Sequence, residues 1–384
     1  MQIFFIFAVL STLSWAGFAV LFRRSWSVQE VLDAGKHVGD DDLGDITALI
    51  PARNEAEVIE RTLRSVVRQG PGMKVVLIDD GSQDGTVEQA QRLASPVFHV
   101  IRSTPLPAGW NGKLWALEQG RHHVATCLTL LLDADIELDP GIVKALRQAM
   151  HQKSTALISL TAEPEMSSIW EKLLMPAFVF FFKTLYPFHR VNSADTKYAA
   201  AAGGCILLET QVLDRIGGFA AMKSAIIDDC TLARHVKSHG YKIWLGLTHS
   251  VRTTRTYRGL RDIGEMIARC AFTQLHYSIV LLVLCTFALF LLYALPGLLL
   301  ASSSPALRYL SLFSLSIMMV AYLPTLRFYG RSPVWALCLP LVALFYLAMT
   351  WTSALRYWRG ECTRWKGRIY RREATGISGE VRLR

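Results

Sequence analysis

The sequence predicts an α/β domain set between membrane-spanning helices at the two ends of the chain. Three observations carry that expectation. Short apolar runs alternate with helical stretches between about residues 45 and 260, carboxylates gather at the ends of two of those runs, and long uncharged apolar segments occupy both ends. At 384 residues and 52% hydrophobic content, the chain has room for one large soluble domain or two small ones, plus spans.

Met1 to Phe22 carries no charge until Arg23 and Arg24, and it is just long enough to cross a hydrocarbon layer of about 30 Å. A cleaved leader wants positive charge before its apolar core, whereas here the charge follows. Residues 1–24 are therefore expected to be a first span, with the N-terminus outside and Arg23 inside. The polar stretch 25–44 reads as a linker. Ile46 to Ile50, closed by Pro51, is then a strand, and Glu55 to Gln69 a helix with Val58, Ile59, Leu63, Val66 and Val67 at helical spacing. The unit repeats: strand 74–79 and helix 86–93, strand 98–102 and helix 113–124, then strand 128–132. Asp139 is expected to cap the next helix, with Pro140 at its first position. Such alternation implies a parallel or mostly parallel sheet that binds ligands at the carboxyl ends of its strands.

Ser167 to Phe188 holds an apolar run too short to span, flanked by Trp170, Lys172 and Lys183. Two readings fit it, an amphipathic helix on the membrane surface and a buried core helix. A strand at 205–208, a helix ending at Gly217-Gly218, a helix from Asp229 to Ser238 and a strand at 241–245 complete the domain, expected over 45–260. Residues 261–277 are expected to form an interfacial helix. Three apolar stretches follow within 278–355, and a basic tail occupies 356–384. A cytosolic domain followed by three spans puts that tail outside, against the positive-inside expectation; two spans plus one re-entrant segment keep it inside, and that arrangement is preferred.

The 41 basic and 31 acidic residues give a net charge of +10, concentrated beside the apolar segments. That placement suits a membrane flank or anionic headgroups. Nucleic acid is not expected as a partner, since the basic residues are not interleaved with aromatics on one folded module. The seven cysteines lack paired spacing and are expected to be free thiols in a reducing compartment. His122 and His123 have no metal-ligand companions and are expected at the surface.

The chemistry is expected at the strand ends. Asp79 and Asp80 lead into Gly81-Ser82, and Asp133-Ala134-Asp135 follows the fourth strand. Carboxylates at i and i+2 can share a Mg²⁺ or Mn²⁺ ion with diphosphate oxygens, because these hard cations take one or two protein carboxylates beside phosphates. Each motif alone also reads as a solvated acidic turn.

In order and spacing, Ile50-Pro51-Ala52-Arg53-Asn54-Glu55, Ile78-Asp79-Asp80-Gly81-Ser82, Gly112-Lys113 and Leu132-Asp133-Ala134-Asp135 resemble the family 2 glycosyltransferases of the GT-A fold, a Rossmann-like nucleotide-sugar-binding domain. The resemblance implies a hexosyltransferase-type enzyme. It puts Ala52, Asn54 and Glu55 against the nucleoside, Asp79 or Asp80 on uracil or ribose, Lys113 near the donor, Asp133 on ribose and donor, and Asp135 on the divalent cation. It also puts Asp228-Asp229 in the place of the family's Glu-Asp pair, whose second acid is the general base, although an acidic helix N-terminus favoured by the dipole has the same look. Gly203-Gly204 resembles the segment that admits an acceptor to the backbone, and a tight turn explains it equally.

The Gln/Arg-x-x-Arg-Trp motif of relatives that use sphingolipid or polysaccharide acceptors is reduced here to Arg269 in Met266-Ile267-Ala268-Arg269-Cys270. Arg269, or nearby Arg255, is the expected diphosphate contact. The missing tryptophan counts against a processive polysaccharide synthase. Residues 106–116 and 268–275 resemble the bacterial hopene-associated glycosyltransferases, which implies a lipid-linked setting; with Arg23 and Arg24 after the first span and unpaired cysteines, the catalytic domain is expected in the cytosol at the bacterial inner membrane. The expected reaction is inverting transfer from a nucleotide-sugar, with uridine diphosphate as carrier, to a lipid acceptor such as a hopanoid. The alternatives are a polysaccharide-type synthase and a non-catalytic nucleotide-sugar-binding scaffold.

Overall fold

The computed structural model describes residues 2–35, 41–93, 98–365, 368–373 and 376–382, with side chains described as far as residue 361. The chain divides into two compact units, one made of Met1–Gln29, Met166–Pro187 and Thr256–Gly360, the other of Glu30–Glu165, Phe188–Arg255 and Glu361–Arg384.

The second unit is built on an eight-stranded sheet. Its strands are β1 (Ile46–Ala52), β2 (Lys74–Asp79), β3 (Phe98–Arg102), β4 (Leu128–Leu132), β5 (Ile136–Leu138), β6 (Leu157–Glu163), β7 (Cys205–Glu209) and β8 (Ile243–Thr253), in the order β3-β2-β1-β4-β7-β6-β8-β5. β3, β2, β1 and β4 are parallel, and β1 is buried along its whole length. Continuous apolar runs such as Leu128–Leu132 suit a sheet covered on both faces. Beyond β4 the pairing is of both kinds, and β6 runs parallel to β8. β7 runs antiparallel to both β4 and β6, and β5 antiparallel to β8. The sheet is therefore mixed, with β7 set antiparallel between β4 and β6.

That reversal assembles the site. Antiparallel pairing of Leu132 with Cys205 lays the start of β7 beside the end of β4, and the Asp133 amide donates to the Gly204 carbonyl at 3.1 Å. β8 extends to Thr253, well past the expected residue 245, and carries the chain back to the acids after β4. One local expectation is corrected. Asp139 does not cap the following helix, Ile142–Lys153; its N-cap is Gly141 at φ 88°, and the Asp139 carboxylate is instead held by Arg252 at 2.5 Å.

Among the described residues, the first unit holds four helices long and apolar enough to cross a membrane: Gln2–Leu21, Ile279–Leu299, Pro305–Phe328 and Pro333–Trp358. Trp15, Phe180, Tyr322 and Tyr346 share its core. The Trp15 indole donates to the Leu292 carbonyl at 2.8 Å and the Tyr346 hydroxyl to that of Leu174 at 2.9 Å, which satisfies polar atoms that lipid could not. Helix Ile169–Leu185 buries Leu174, Ala177 and Phe180 in that core and leaves Ile169 and Leu185 exposed. Its first turn is closed by a capping box between Ser168 and Glu171. At the start of the basic tail, Arg356 pairs with Glu265 at 2.6 Å, and the tail's side chains after residue 361 lie outside the described residues. The cysteines from 127 to 338 are free thiols, while Cys362 lies beyond the described side chains; His122 and His123 are exposed.

Candidate active site

Three groups of side chains stand at the carboxyl edge of the parallel strands. The first is centred on Lys113, in the first turn of helix Gly112–Arg121, where the Asn111 side chain accepts from the Lys113 amide at 3.0 Å. The Lys113 ammonium lies 2.8 Å from Asp133 and 3.0 Å from Asp228. Burial alone would depress its pKa, but the charges of Asp133 and Asp228 outweigh burial and hold it well above the usual range. Asp228 and Asp229 open helix Asp228–Ser238. A Cβ placed on Gly203 would lie 3.3 Å from Asp229 Oδ2 and 3.5 Å from Lys113 Nζ, so a glycine there lets the backbone close on the pair. Burial, and after it the neighbouring charge of Asp228, pushes the Asp229 carboxyl up to about 6.

The second group joins Asp135, Glu55 and Arg255. Arg255 Nε is 2.5 Å from Asp135 and Nη2 is 2.9 Å from Glu55. The third group interlocks the loops after β1 and β2. Asn54, at φ 51°, donates its amide to Ser82 Oγ at 3.0 Å and accepts from the Gln83 amide at 3.0 Å. The Asp79 carboxylate accepts from the Ser82 amide at 3.1 Å, while Arg53 pairs with Asp80 at 3.8 Å. Asp84 accepts from the Ala56 amide. Burial opposes ionisation of Asp84, yet the hydrogen bonds from Thr86 and Ala56 hold its carboxyl below the usual value.

The sequence-derived residues thus fall into one neighbourhood with one exception. Ala52 ends β1 and is fully buried, Asn54 and Glu55 follow it, and Asp79, Asp80, Lys113, Asp133, Asp135, Asp228 and Asp229 all belong to the same compact unit. Arg269 belongs to the other unit, where it is the exposed C-cap of helix Leu260–Ala268. Of the two arginines, Arg255 is the one in the acid cluster.

Among the described residues no group of three or more His, Cys, Asp or Glu side chains could cage a metal ion. The donor set of Asp133 and Asp135 still fits Mg²⁺ or Mn²⁺. It offers two hard oxygen ligands, already drawn to cations, and leaves the remaining coordination to phosphate and water.

Sequence reasoning missed several supporting residues. Buried Glu118 accepts from the Phe219 amide at 2.8 Å and pairs with Arg121, which also reaches Asp214. This anchors the turn Phe219–Met222 ahead of Asp228-Asp229. Lys237 donates to the carbonyls of Val191, Ser193 and Tyr198 and so gathers the chain that enters Gly203. Glu118 and Arg121 sit three apart on one helix, a spacing that marks an ion pair but does not reveal its third partner.

Residues 47–217 match the model of Glycosyl transferase family 2. Over 131 residues the chain is 31% identical to the 4,4'-diaponeurosporenoate glycosyltransferase of Staphylococcus aureus (strain USA300), covering 34% of this chain and 33% of that protein. The enzyme of the same name from Staphylococcus haemolyticus (strain JCSC1435) is 31% identical over 94 residues, 24% of this chain and 25% of that protein. The chain thus matches a third or less of the length of these curated relatives. Among solved structures, the mannosyltransferase PcManGT from Pyrobaculum calidifontis in complex with GDP-Man and Mn²⁺ superposes with a TM-score of 0.53 at 17% identity, over 92% of this chain and 99% of that one. The family match ends before Asp228, Asp229 and Arg255, so the acceptor side stands on geometry. Residues 47–217 are thus similar to Glycosyl transferase family 2 domains, and the sheet that carries them has a fold of GT-A type.

Proposed function

We propose that the protein transfers a sugar, with inversion, from a nucleoside-diphosphate sugar to a lipid acceptor. The observation that carries this reading is the single cation, Lys113, shared by Asp133 and Asp228 with Asp229 alongside. Asp133 and Asp135 face the donor, and Asp229 faces the acceptor. With its carboxyl raised to about 6, Asp229 is ionised at neutral pH yet basic enough to take the acceptor's proton, a role typically worth ~10²- to 10⁴-fold in rate. Lys113 holds Asp228 as a charged partner, so the proton goes to Asp229. Glu55 and Asn54 line the nucleoside side. A Mg²⁺ or Mn²⁺ ion held by Asp133 and Asp135 would stabilise charge on the departing diphosphate.

The lipid acceptor is supported by the carotenoid in the relatives' name and by the four apolar helices. A hopanoid is the narrower candidate, supported by the resemblance of residues 106–116 and 268–275 noted above. A uridine diphosphate sugar is the donor, and the domain lies in the cytosol beside the bacterial inner membrane. The test is release of free nucleoside diphosphate from a panel of donors, with and without lipid extract, followed by mass spectrometry of the lipid. Release that depends on the extract and leaves a glycosylated lipid supports the reading; donor binding with no release under either condition favours a scaffold.

A further inference from the structure

Arg255 bridges two carboxylates far apart in sequence, Asp135 through Nε and Glu55 through Nη2. The backbone holds it there: the Thr254 amide donates to the Asp135 carbonyl at 2.7 Å, and the Thr254 hydroxyl to the same oxygen at 3.0 Å. Asp135 and Glu55 are only 14% and 11% exposed, whereas Arg255 is 36% exposed. A carboxylate at that depth is costly without a counter-charge. The guanidinium supplies that charge to both carboxylates.

We propose that Arg255 is an internal counter-ion which competes with the divalent cation for Asp135 and passes to the diphosphate of the incoming donor, so that cation and nucleotide bind together. This rests on the reading of Asp135 as a cation ligand. A cation arriving alone must displace the guanidinium from Asp135 and offers it no acceptor in exchange. A cation arriving with a diphosphate brings acceptors that a guanidinium grips with two parallel hydrogen bonds. Nucleotide therefore raises cation affinity, and by linkage the cation raises nucleotide affinity by the same factor. Glu55, released at the same moment, becomes available to the nucleoside.

The experiment titrates Mn²⁺ by the paramagnetic resonance of the free ion against the full-length protein, alone, with uridine diphosphate, and in a parallel arm with guanosine diphosphate. Wild type is expected to bind Mn²⁺ weakly alone and about tenfold or more tightly with the productive nucleotide. Arg255→Gln is expected to bind Mn²⁺ alone several-fold more tightly than wild type and to lose most of the nucleotide-dependent gain. Arg255→Lys keeps the charge but not the two-carboxylate fork, so it should fall between, and it decides by the same two affinities if the glutamine variant does not fold. Unchanged affinity for Mn²⁺ alone, or an undiminished nucleotide gain, overturns the exchange. Asp135→Asn separates the two layers. If the nucleotide-dependent gain survives Asp135→Asn, the donor-site reading itself fails; if that variant abolishes the gain while the Arg255 variants match wild type, only the exchange fails.

Discussion

The ammonium of Lys113 lies 3.0 Å from the carboxylate of Asp228, and the same nitrogen reaches Asp133 at 2.8 Å. One cation thus ties the acid expected on the donor side to the pair expected on the acceptor side. Lys113→Met removes the shared partner and leaves partly exposed like charges facing each other. Stability at neutral pH is expected to fall by about 1 kcal/mol, less than for a fully buried pair because solvent screens these carboxylates, with the deficit shrinking in acid as the carboxyls protonate. Thermal melts of the purified protein across pH check this, and a deficit that grows in acid would contradict it.

The pH profile follows from Asp229. Burial, then Asp228, raises its carboxyl to about 6 in the folded protein. A general base works only when ionised, so kcat/KM should climb by about tenfold per pH unit below 6 and level off above it. The stability effect has the opposite sign. The folded state holds the Asp229 proton more tightly than the unfolded chain, so this group's contribution falls as pH rises from about 4, the unfolded carboxyl value, towards 6. Lys113 lowers the Asp229 pKa, so in Lys113→Met the acidic limb of the rate profile should move upward.

Gly203→Ala is a steric test of the same site. The added methyl would meet Asp229 Oδ2 at 3.3 Å, a tight contact that the carboxylate must relieve by a few tenths of an ångström, and Lys113 Nζ at 3.5 Å, an ordinary one. Transfer is expected to fall by about 10- to 100-fold, since small misplacements of reacting groups are expensive, while the melting temperature changes little. An equal fall in both would place the glycine's role in folding.

The proposed cytosolic placement of the domain is checked with Cys127, which is exposed, in a variant that retains only this thiol; Cys230 is buried and unsuitable. Cys127 should resist a membrane-impermeant maleimide in intact cells and react after permeabilisation. Labelling in intact cells would place the domain on the outer side.

The parts of the site that lie close in sequence were legible in advance. Asp133 and Asp135 flank one residue after an apolar strand, and Asp79-Asp80 precede a glycine turn, so local pattern alone put them at strand ends. The parts that depend on distant pairing were not. Arg255 meets residues 120 and 200 positions away, and nothing local distinguishes it from Arg269. Asp139 followed by Pro140 looks like a helix cap until Arg252, 113 residues on, takes its carboxylate. The reversal of β7 was equally hidden, because Cys205–Glu209 is a continuous apolar run closed by an acid, which gives no sign of direction.

The most direct test of the account compares Asp229→Asn with Asp228→Asn, measuring both the affinity for uridine diphosphate with Mn²⁺ and the rate of sugar transfer to lipid. Asn keeps size and hydrogen bonding but cannot take a proton. Asp229→Asn should retain donor affinity and lose transfer by about 10²-fold or more, with Asp228→Asn the less damaging of the two. Unchanged transfer in Asp229→Asn, or a loss of donor affinity as large as the loss of turnover, would contradict the assignment of Asp229 as the base.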